Sequence, residues 1–483
     1  MGHLPMNRIH ATPVCLQPIH SGAAQHPTRT VRRSKLPLDI RGASLTEYGI
    51  VLALLGATSI ATVLGLGEEI SNLFSAAADG ISVASITVAS SPYDPDAFVF
   101  EVSTATGAIF PSAGGNIQID WGDETANATC TTTYVIDPNN PLTCDYPEAG
   151  TYQIAITGDM TGYGQLYSAA YKADITRMIQ WGNTGLTDLS YALYGAQNLT
   201  EVPSDLPPGV EKIDGIFGFA TSLNDPSVSS WNTSGIETMK AIFKGASTFN
   251  QSLDEWDMSS VVNIDDMFHG ASAFNQDLSS WDTSNLESMF RSFRDTPFNG
   301  DITTWDVSNV RFMHATFRDT SAFNQDISDW DVSNVRTFYN FLYGASAFNQ
   351  DLSQWETGLV KNFQGMFQDA SLFQSDLSGW DVSNAVTLTR MFTRATEFQS
   401  DLSAWDTSIV KDARSLFNGA SLFNSDLSEW DVSEITDMTR MFHDAPAFNG
   451  DLSGWCVSQI SSEPEEFSLG SGIVTGPTWG SCP

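Results

Sequence analysis

Tryptophan recurs at a nearly fixed interval through the second half of this 483-residue chain. Successive tryptophans from Trp231 to Trp455 are 25 residues apart, except for one step of 24 that ends at Trp305. A unit of this size cannot bury its own apolar side chains, so neighbouring units must stack on each other. The period therefore predicts a solenoid of about ten coils, each packed against the next.

Each unit divides into two parts with different patterns. The phrase Asp-Leu-Ser-x-Trp, as in residues 277–281, suits a short strand that turns Leu and Trp into the core. In the second part, Val310, Met313 and Phe317 follow one another at i, i+3 and i+7, which favours a short capped helix. We therefore expect an α/β solenoid in which strands and short helices alternate.

The repeats resemble the BspA-like family of leucine-rich surface proteins. Units of that family read like Ala-Phe-Asn-Gln-Asp-Leu-Ser-x-Trp-Asp-Thr-Ser-Asn, and residues 273–285 carry the same phrase. The more divergent stretch at 175–223 looks like the atypical entry coils of such a stack. The resemblance implies a leucine-rich-like solenoid on a bacterial or protist surface, where adhesion is the usual proposal.

The amino-terminal segment carries its own signal. Residues 1–42 hold six Lys and Arg residues against one acid, and an uncharged apolar run follows at 49–67. A run of that length nearly matches a bilayer core of about 30 Å. Basic residues before the run and Glu68-Glu69 after it place the leader inside and the remainder outside the cytoplasm. We expect a single transmembrane helix within 43–80 and a location at the cell membrane.

A carboxylate at the edge of this apolar run is costly unless it has a partner. Here the segment resembles the prepilin leaders of type IV pilins of the Flp/Tad class, which a prepilin peptidase cuts after a Gly. Cutting after Gly42 would make Ala43 the first residue, with Glu47 fifth and Tyr48 sixth. The resemblance implies as partners other pilin subunits, the pilus assembly machinery and the inner membrane. The alternative is a plain signal anchor that never polymerises.

Between residues 81 and 165 the apolar pattern changes to alternation, which is typical of short strands. The phrases Asp120-Trp121-Gly122-Asp123 and Tyr-Pro-Glu-Ala-Gly-Thr-Tyr at 146–152 resemble polycystic-kidney-disease-type (PKD) domains. That resemblance implies a small immunoglobulin-like β-sandwich used as a spacer.

Four of the five cysteines form two close pairs in the sequence, Cys130 with Cys144 and Cys456 with Cys482. Neither pair has the CxxC spacing or neighbouring His of a zinc site. Two local disulfides in an oxidising compartment fit this spacing, one in the PKD-like domain and one at the C-terminal cap. The alternative is four unpaired thiols in a cytosolic protein.

The formal net charge of −35 excludes nucleic acid and anionic lipid as probable partners. Two columns of aspartate recur with the repeat, and Asp326 and Asp331 belong to one column each. In one interpretation each Asp accepts hydrogen bonds from turn N–H groups, which lowers its pKa. In the other, some of these residues, such as Asp326 and Asp331, bind Ca²⁺.

The repeats show no arrangement typical of catalysis, neither Ser/His/Asp nor Cys/His nor a phosphate loop, so we do not expect an enzyme. One variable column is locally basic on an otherwise acidic body. It contains Lys244, His269, Arg294 and Arg318, and it is the candidate face for an unknown surface ligand.

The predicted fold class is multidomain: an N-terminal transmembrane α-helix, a small β-sandwich, then a leucine-rich-like α/β repeat solenoid. The predicted function is a surface-displayed adhesion or binding protein, as a minor or tip subunit of a Flp/Tad-type filament. The alternatives are a single-span surface protein that does not polymerise and a polysaccharide-binding receptor. The predicted parts are a leader (1–42), a pilin-like helix (43–80), a PKD-like domain (81–165), entry repeats (166–230), the solenoid (231–455) and a disulfide-closed cap (456–483).

Overall fold

The computed structural model of the chain describes residues 94–109, 111–122, 129–130, 142–164 and 172–483. The leader, the apolar run and the predicted processing residues Gly42, Ala43, Glu47 and Tyr48 lie outside these residues.

Within the described ranges, no helix combines the length and the apolar character needed to cross a membrane. The prediction of a cell-membrane location through one N-terminal helix is corrected by this finding, since no such anchor is shown. The predicted pilin-type filament subunit depends on the same helix, so this finding also counts against it.

Five antiparallel strands form a sheet at the start of the described chain. Its strand order is β2-β4-β1-β5, and β3 pairs with β4. The long strand β4 pairs with β1, with β2 and with β3. The strands are β1 (Phe98–Ile109), β2 (Pro111–Asp120), β3 (Thr129–Cys130), β4 (Leu142–Tyr163) and β5 (Ile175–Gln180).

The predicted β-sandwich is wrong, because the described strands belong to one sheet. One face of this sheet packs on the first coils and not on a second sheet. The ring of Phe98 lies 5.9 Å from that of Trp181, which in turn lies 6.3 Å from Trp231. The apolar residues of the sheet and of the coils thus form one continuous core.

A buried lysine also links the sheet to the first coil. The Nζ atom of Lys172 donates hydrogen bonds to the carbonyl oxygens of Gly164 at 2.7 Å and Tyr191 at 2.6 Å. Burial lowers the pKa of Lys172 to about 7. These bonds hold the end of β4 against the entry coils.

Each coil of the solenoid contributes one segment to a parallel backbone ladder. Isolated bridges join these segments in series, as from Thr387 to Asp412 and on to Asp437. We call the segments ladder segments and the surface that they form the ladder face. The ladder segments are 237–245, 262–270, 287–295, 311–319, 336–344, 361–369, 386–394, 411–419 and 436–444.

The predicted short helices are wrong, since residues 175–483 contain no α-helix and one 3-10 helix, Pro226–Ser230. In segment 237–245, four alternate N–H groups from Met239 to Gly245 donate to carbonyls of the next segment at 2.7–2.9 Å. The backbone N–H groups that an α-helix would use internally therefore bind the neighbouring coil.

In every ladder segment, two residues adopt the left-handed backbone conformation. They allow successive N–H groups to point alternately toward the next coil and toward the segment itself. In segment 311–319 they are Ala315, with φ of 52°, and Asp319, with φ of 57°. The left-handed conformation costs a non-glycine residue about 1–2 kcal/mol. Inter-coil hydrogen bonds, each worth about 1 kcal/mol net, offset that cost once the coils are stacked.

The Asp-Leu-Ser-x-Trp phrase forms turns and not the predicted strand, although its Leu and Trp are buried as expected. The N–H of Trp281 donates to the carbonyl of Leu278 three residues earlier. Most of the repeat tryptophans also donate an indole hydrogen bond to a carbonyl of the preceding coil, as Trp380 does to Leu352 at 2.9 Å.

Trp330 and Trp380 provide a matched pair for measuring this indole bond. Both are 3% exposed, but the indole N–H of Trp330 has no partner. We expect Trp380→Phe to lower the free energy of unfolding by about 1 kcal/mol more than Trp330→Phe, because only Trp380 loses a hydrogen bond. Urea unfolding of the two variants measures the difference, and equal losses would contradict this role of the indole bond.

Candidate ligand-binding face

The ladder segments hold all the basic residues of the regular repeats. Between Trp231 and Trp455, every Lys and Arg falls within a ladder segment, whereas the rest of that region carries only acidic charges. The basic residues are Lys240, Lys244, Arg291, Arg294, Arg311, Arg318, Arg336, Lys361, Arg390, Arg394, Lys411, Arg414 and Arg440. The solenoid is therefore electrically polarised, with an acidic body and one face of mixed charge.

Residue identity also varies on this face more than elsewhere. One outward column reads Lys240, Asp265, Phe290, His314 and Tyr339 in successive coils. Off the face, the Asp-Leu-Ser-x-Trp phrase repeats with little change. Positions that share one backbone geometry but differ in chemistry from coil to coil are free of a common structural role, and such positions are available for ligand contact.

The aspartate columns lie off the ladder face, and each Asp closes a local turn. The backbone N–H of the residue two positions later donates to its Oδ1 atom. These aspartates are Asp277, Asp301, Asp326, Asp351, Asp376, Asp401, Asp426 and Asp451 in one column. In the other column they are Asp257, Asp282, Asp306, Asp331, Asp381, Asp406 and Asp431.

These hydrogen bonds lower the pKa of the carboxyl groups of Asp257, Asp277, Asp282, Asp326, Asp351, Asp376, Asp401, Asp406, Asp426 and Asp451. For Asp326 the hydroxyl of Ser328 has the largest effect and its backbone N–H the next, while the charge of Asp351 raises the pKa by less. The hydrogen-bond interpretation of the columns is therefore confirmed. At Asp326 the charge of Asp351 in the next coil thus has a smaller effect on the pKa than the hydrogen bonds within the turn.

A metal centre is not evident in the described part of the chain, where no three His, Cys, Asp or Glu residues are grouped to hold an ion. Asp326 and Asp331 each accept the N–H of their own turn. The prediction that they bind Ca²⁺ stays a prediction.

The predicted basic column does lie on the ladder face, but carboxylates neutralise it. Lys244, His269 and Arg291 converge on Asp266 at 3.2, 2.9 and 3.0 Å. Burial alone would raise the pKa of Asp266, but the hydrogen bond from His269 and the charges of Lys244 and Arg291 lower it below its usual value.

The next two residues of that column are paired in the same way. Arg294 contacts Asp295 at 3.1 Å, and Arg318 contacts Asp319 at 3.1 Å. The guanidinium of Arg318 also lies 4.5 Å from the ring centroid of Tyr343. The column is thus a set of ion pairs on the surface, and its cations are held in fixed positions.

An aromatic cluster that the sequence did not reveal lies beside this column. Ring centroids of Phe290 and His314 are 5.7 Å apart, and those of Phe312 and His314 are 6.2 Å apart. Tyr339 continues the row, 6.4 Å from His314. Phe312 is 46% exposed, which is unusual for so large an apolar side chain. The signal available in the sequence was three aromatic rings in successive coils at one column.

Phe290, Phe312 and His314 line an open groove of about 460 Å³. Its other residues come from the two preceding ladder segments. The groove, called the ladder groove below, is lined by Val262, Asn263, Asp265, Glu287, Ser288, Phe290, Phe312 and His314. Burial lowers the pKa of His314, and the charge of Asp265 only partly opposes this.

The cysteines at 130, 144, 456 and 482 lie outside the ladder segments. Cys456 and Cys482 form a disulfide across the C-terminal cap. Cys144 is also disulfide-bonded, and its backbone pairs with that of Cys130 on the neighbouring strand. Disulfides persist in oxidising compartments.

Stacked coils with one chemically variable face define a repeat solenoid. The family model described as "Mycoplasma protein of unknown function, DUF285" matches residues 187–299, 286–401 and 374–471, which together make up more than half of the chain. The chain therefore belongs to the DUF285 family. No curated protein and no solved structure matches it.

The aspartate turns predict how stability depends on pH. A carboxyl group whose folded pKa lies below the unfolded value of 3.8 stabilises the fold above that pH. The contribution is lost as the pH falls through the folded pKa. We expect the melting temperature to fall between about pH 5 and about pH 2.5.

The matched control replaces three turn carboxylates by amides that cannot titrate, Asp326→Asn, Asp351→Asn and Asp376→Asn. An Asn side chain still accepts the turn N–H. The melting temperature of the control should decrease by less than that of the wild type over the same pH range. A wild-type melting temperature that rises on acidification would show that self-repulsion of the acidic body dominates instead.

Proposed function

We propose that this protein is a surface-displayed adhesion and binding protein whose solenoid contacts its ligand through the ladder face. One observation carries the proposal: the basic residues of the regular repeats and the exposed aromatic cluster occupy the same face of an otherwise acidic body. Aromatic and Arg side chains contribute most to binding energy at interfaces. The resemblance to BspA-like surface proteins supports the same function.

The charge distribution favours contact through this face. A strongly acidic body repels negatively charged surfaces, and it lets the ladder face approach first. Ion pairs such as Arg318 with Asp319 hold the cations in place before a ligand arrives. Pre-ordered side chains lose less entropy on binding than free ones.

The oxidising environment of a surface protein suits the cap disulfide between Cys456 and Cys482. The filament-subunit role predicted from Gly42–Tyr48 concerns residues outside those that the structure describes. The proposal does not depend on it.

The test measures adhesion of beads coated with the full chain to collagen, mucin and fixed bacterial cells. A variant with Arg291→Ala, Phe312→Ala and Tyr343→Ala removes three large side chains of the ladder face. Because such residues dominate interface energies, we expect bead retention to fall by about tenfold.

The control variant carries Leu372→Ala, Gln354→Ala and Asp331→Asn, three exposed positions off the ladder face. It should adhere to within about twofold of the wild type, as expected for residues outside a binding interface. A wild-type chain that binds none of the three surfaces, or equal losses in both variants, would contradict the proposed function.

A further inference from the structure

The ladder groove holds three rings in an ordered arrangement, and Phe312 among them is 46% exposed. The planes of Phe312 and His314 are inclined by only 13°, so the two rings are nearly parallel, with their centroids 6.2 Å apart. Phe290 meets His314 edge to face at 85°. Flat, rigid and apolar surfaces of this kind suit ligands that have a flat face of C–H groups.

Backbone groups around the groove are already used by the ladder. The N–H of Asp266 donates to the carbonyl of Phe290, and the N–H of Arg291 donates to the carbonyl of His314. Met289 donates to Phe312 in the same way. An extended peptide could not add itself here as a further strand, because these ladder groups are already paired with neighbouring coils.

The side-chain donors of Asn263 and Ser288 are also engaged. The amide of Asn263 donates to one carboxylate oxygen of Asp265 at 3.1 Å, and the hydroxyl of Ser288 and the backbone N–H of Phe290 donate to the other. Glu287 is held at the rim by Arg311, 3.4 Å away, and its side chain remains 51% exposed. A carboxylate has about four acceptor sites, so Asp265 keeps about one of them and Glu287 keeps more.

The spare carboxylate acceptors, the few free donors and the flat rings of this groove together define which ligand chemistry it can bind. An anionic polymer would be repelled by Asp265 and Glu287. A proline-rich peptide brings carbonyl acceptors and no proline N–H, so its polar groups would lack partners. A neutral saccharide supplies a C–H face for the rings and a rim of hydroxyl donors for the carboxylates.

We infer that the ladder groove binds a neutral saccharide, which stacks on Phe312 and His314 and donates hydroxyl hydrogen bonds to Asp265 and Glu287. Tyr339 extends the aromatic row by one coil, so a longer saccharide would lie along the solenoid axis. This inference rests on the proposed function, since it names the ligand class of the same face.

The test is isothermal titration calorimetry of the full chain with neutral hexasaccharides of β-1,4-linked glucose, N-acetylglucosamine, mannose and xylose, and of α-1,4-linked glucose. A heparin hexasaccharide and a decaproline peptide are the comparison probes. We expect at least one neutral saccharide to bind, and neither comparison probe. The absence of binding by all five neutral saccharides, or preferential binding of heparin or decaproline, would overturn the inference.

Three variants locate the binding site. Phe312→Ala should weaken saccharide binding by about tenfold because it removes the most exposed ring of the groove. Phe312→Tyr keeps a ring and should restore binding to within about threefold of wild type. Leu372→Ala removes an apolar side chain of similar exposure, 50%, off the ladder face and should have no effect. Equal binding by Phe312→Ala and the wild type would place the saccharide elsewhere and overturn the inference.

The bead assay separates this inference from the proposed function. Adhesion that depends on the ladder face, together with no saccharide binding, would overturn the saccharide class alone. The absence of both ladder-face adhesion and saccharide binding would overturn the proposed function as well.

Discussion

The backbone ladder between coils is the interaction on which the rest of this structure depends. Alternate N–H groups of each ladder segment donate hydrogen bonds to the next coil. No segment can therefore pair all of its backbone N–H groups internally, and no coil is stable by itself. The left-handed residues, such as Ala315 and Asp319, are tolerated only because the stacked coils provide these bonds. The stability and the shape of the solenoid therefore come from the stacked coils together, and a single coil has little stability alone.

This ladder separates the residues that stabilise the solenoid from those available for binding. The buried Trp, Leu and Phe columns and the aspartate turns repeat with little change because each coil needs them. Outward positions on the ladder face, such as Phe290 and His314, carry no shared structural duty. Basic and aromatic residues can gather there without disturbing the core, and the result is a polarised surface with one face suited to ligands.

The sequence predicted the period, the buried columns and the role of the aspartates, because these depend on spacing and local turns. The short helix was wrong because the spacing of Val310, Met313 and Phe317 also fits a segment that alternates between tight turns and inter-coil bonds. Ala315 gives no sign in the sequence of its left-handed conformation. The aromatic cluster was missed because Phe290, His314 and Tyr339 come from successive coils, 24 and 25 residues apart, and meet only after stacking.

The central claim concerns the part of each coil for which the sequence pattern predicts a helix. Along its whole length, this part lies at ladder spacing from the same part of the next coil. Asn418 and His443 occupy equivalent positions in adjacent segments, where the N–H of Gly419 donates to the carbonyl of His443 at 2.8 Å. The most direct measurement is peptide mapping, by mass spectrometry, of the double variant Asn418→Cys and His443→Cys after mild oxidation. Ladder spacing of about 4.8 Å predicts a disulfide between positions 418 and 443. Packed helices, about 8–10 Å apart, would leave both thiols free, and that result would contradict the account.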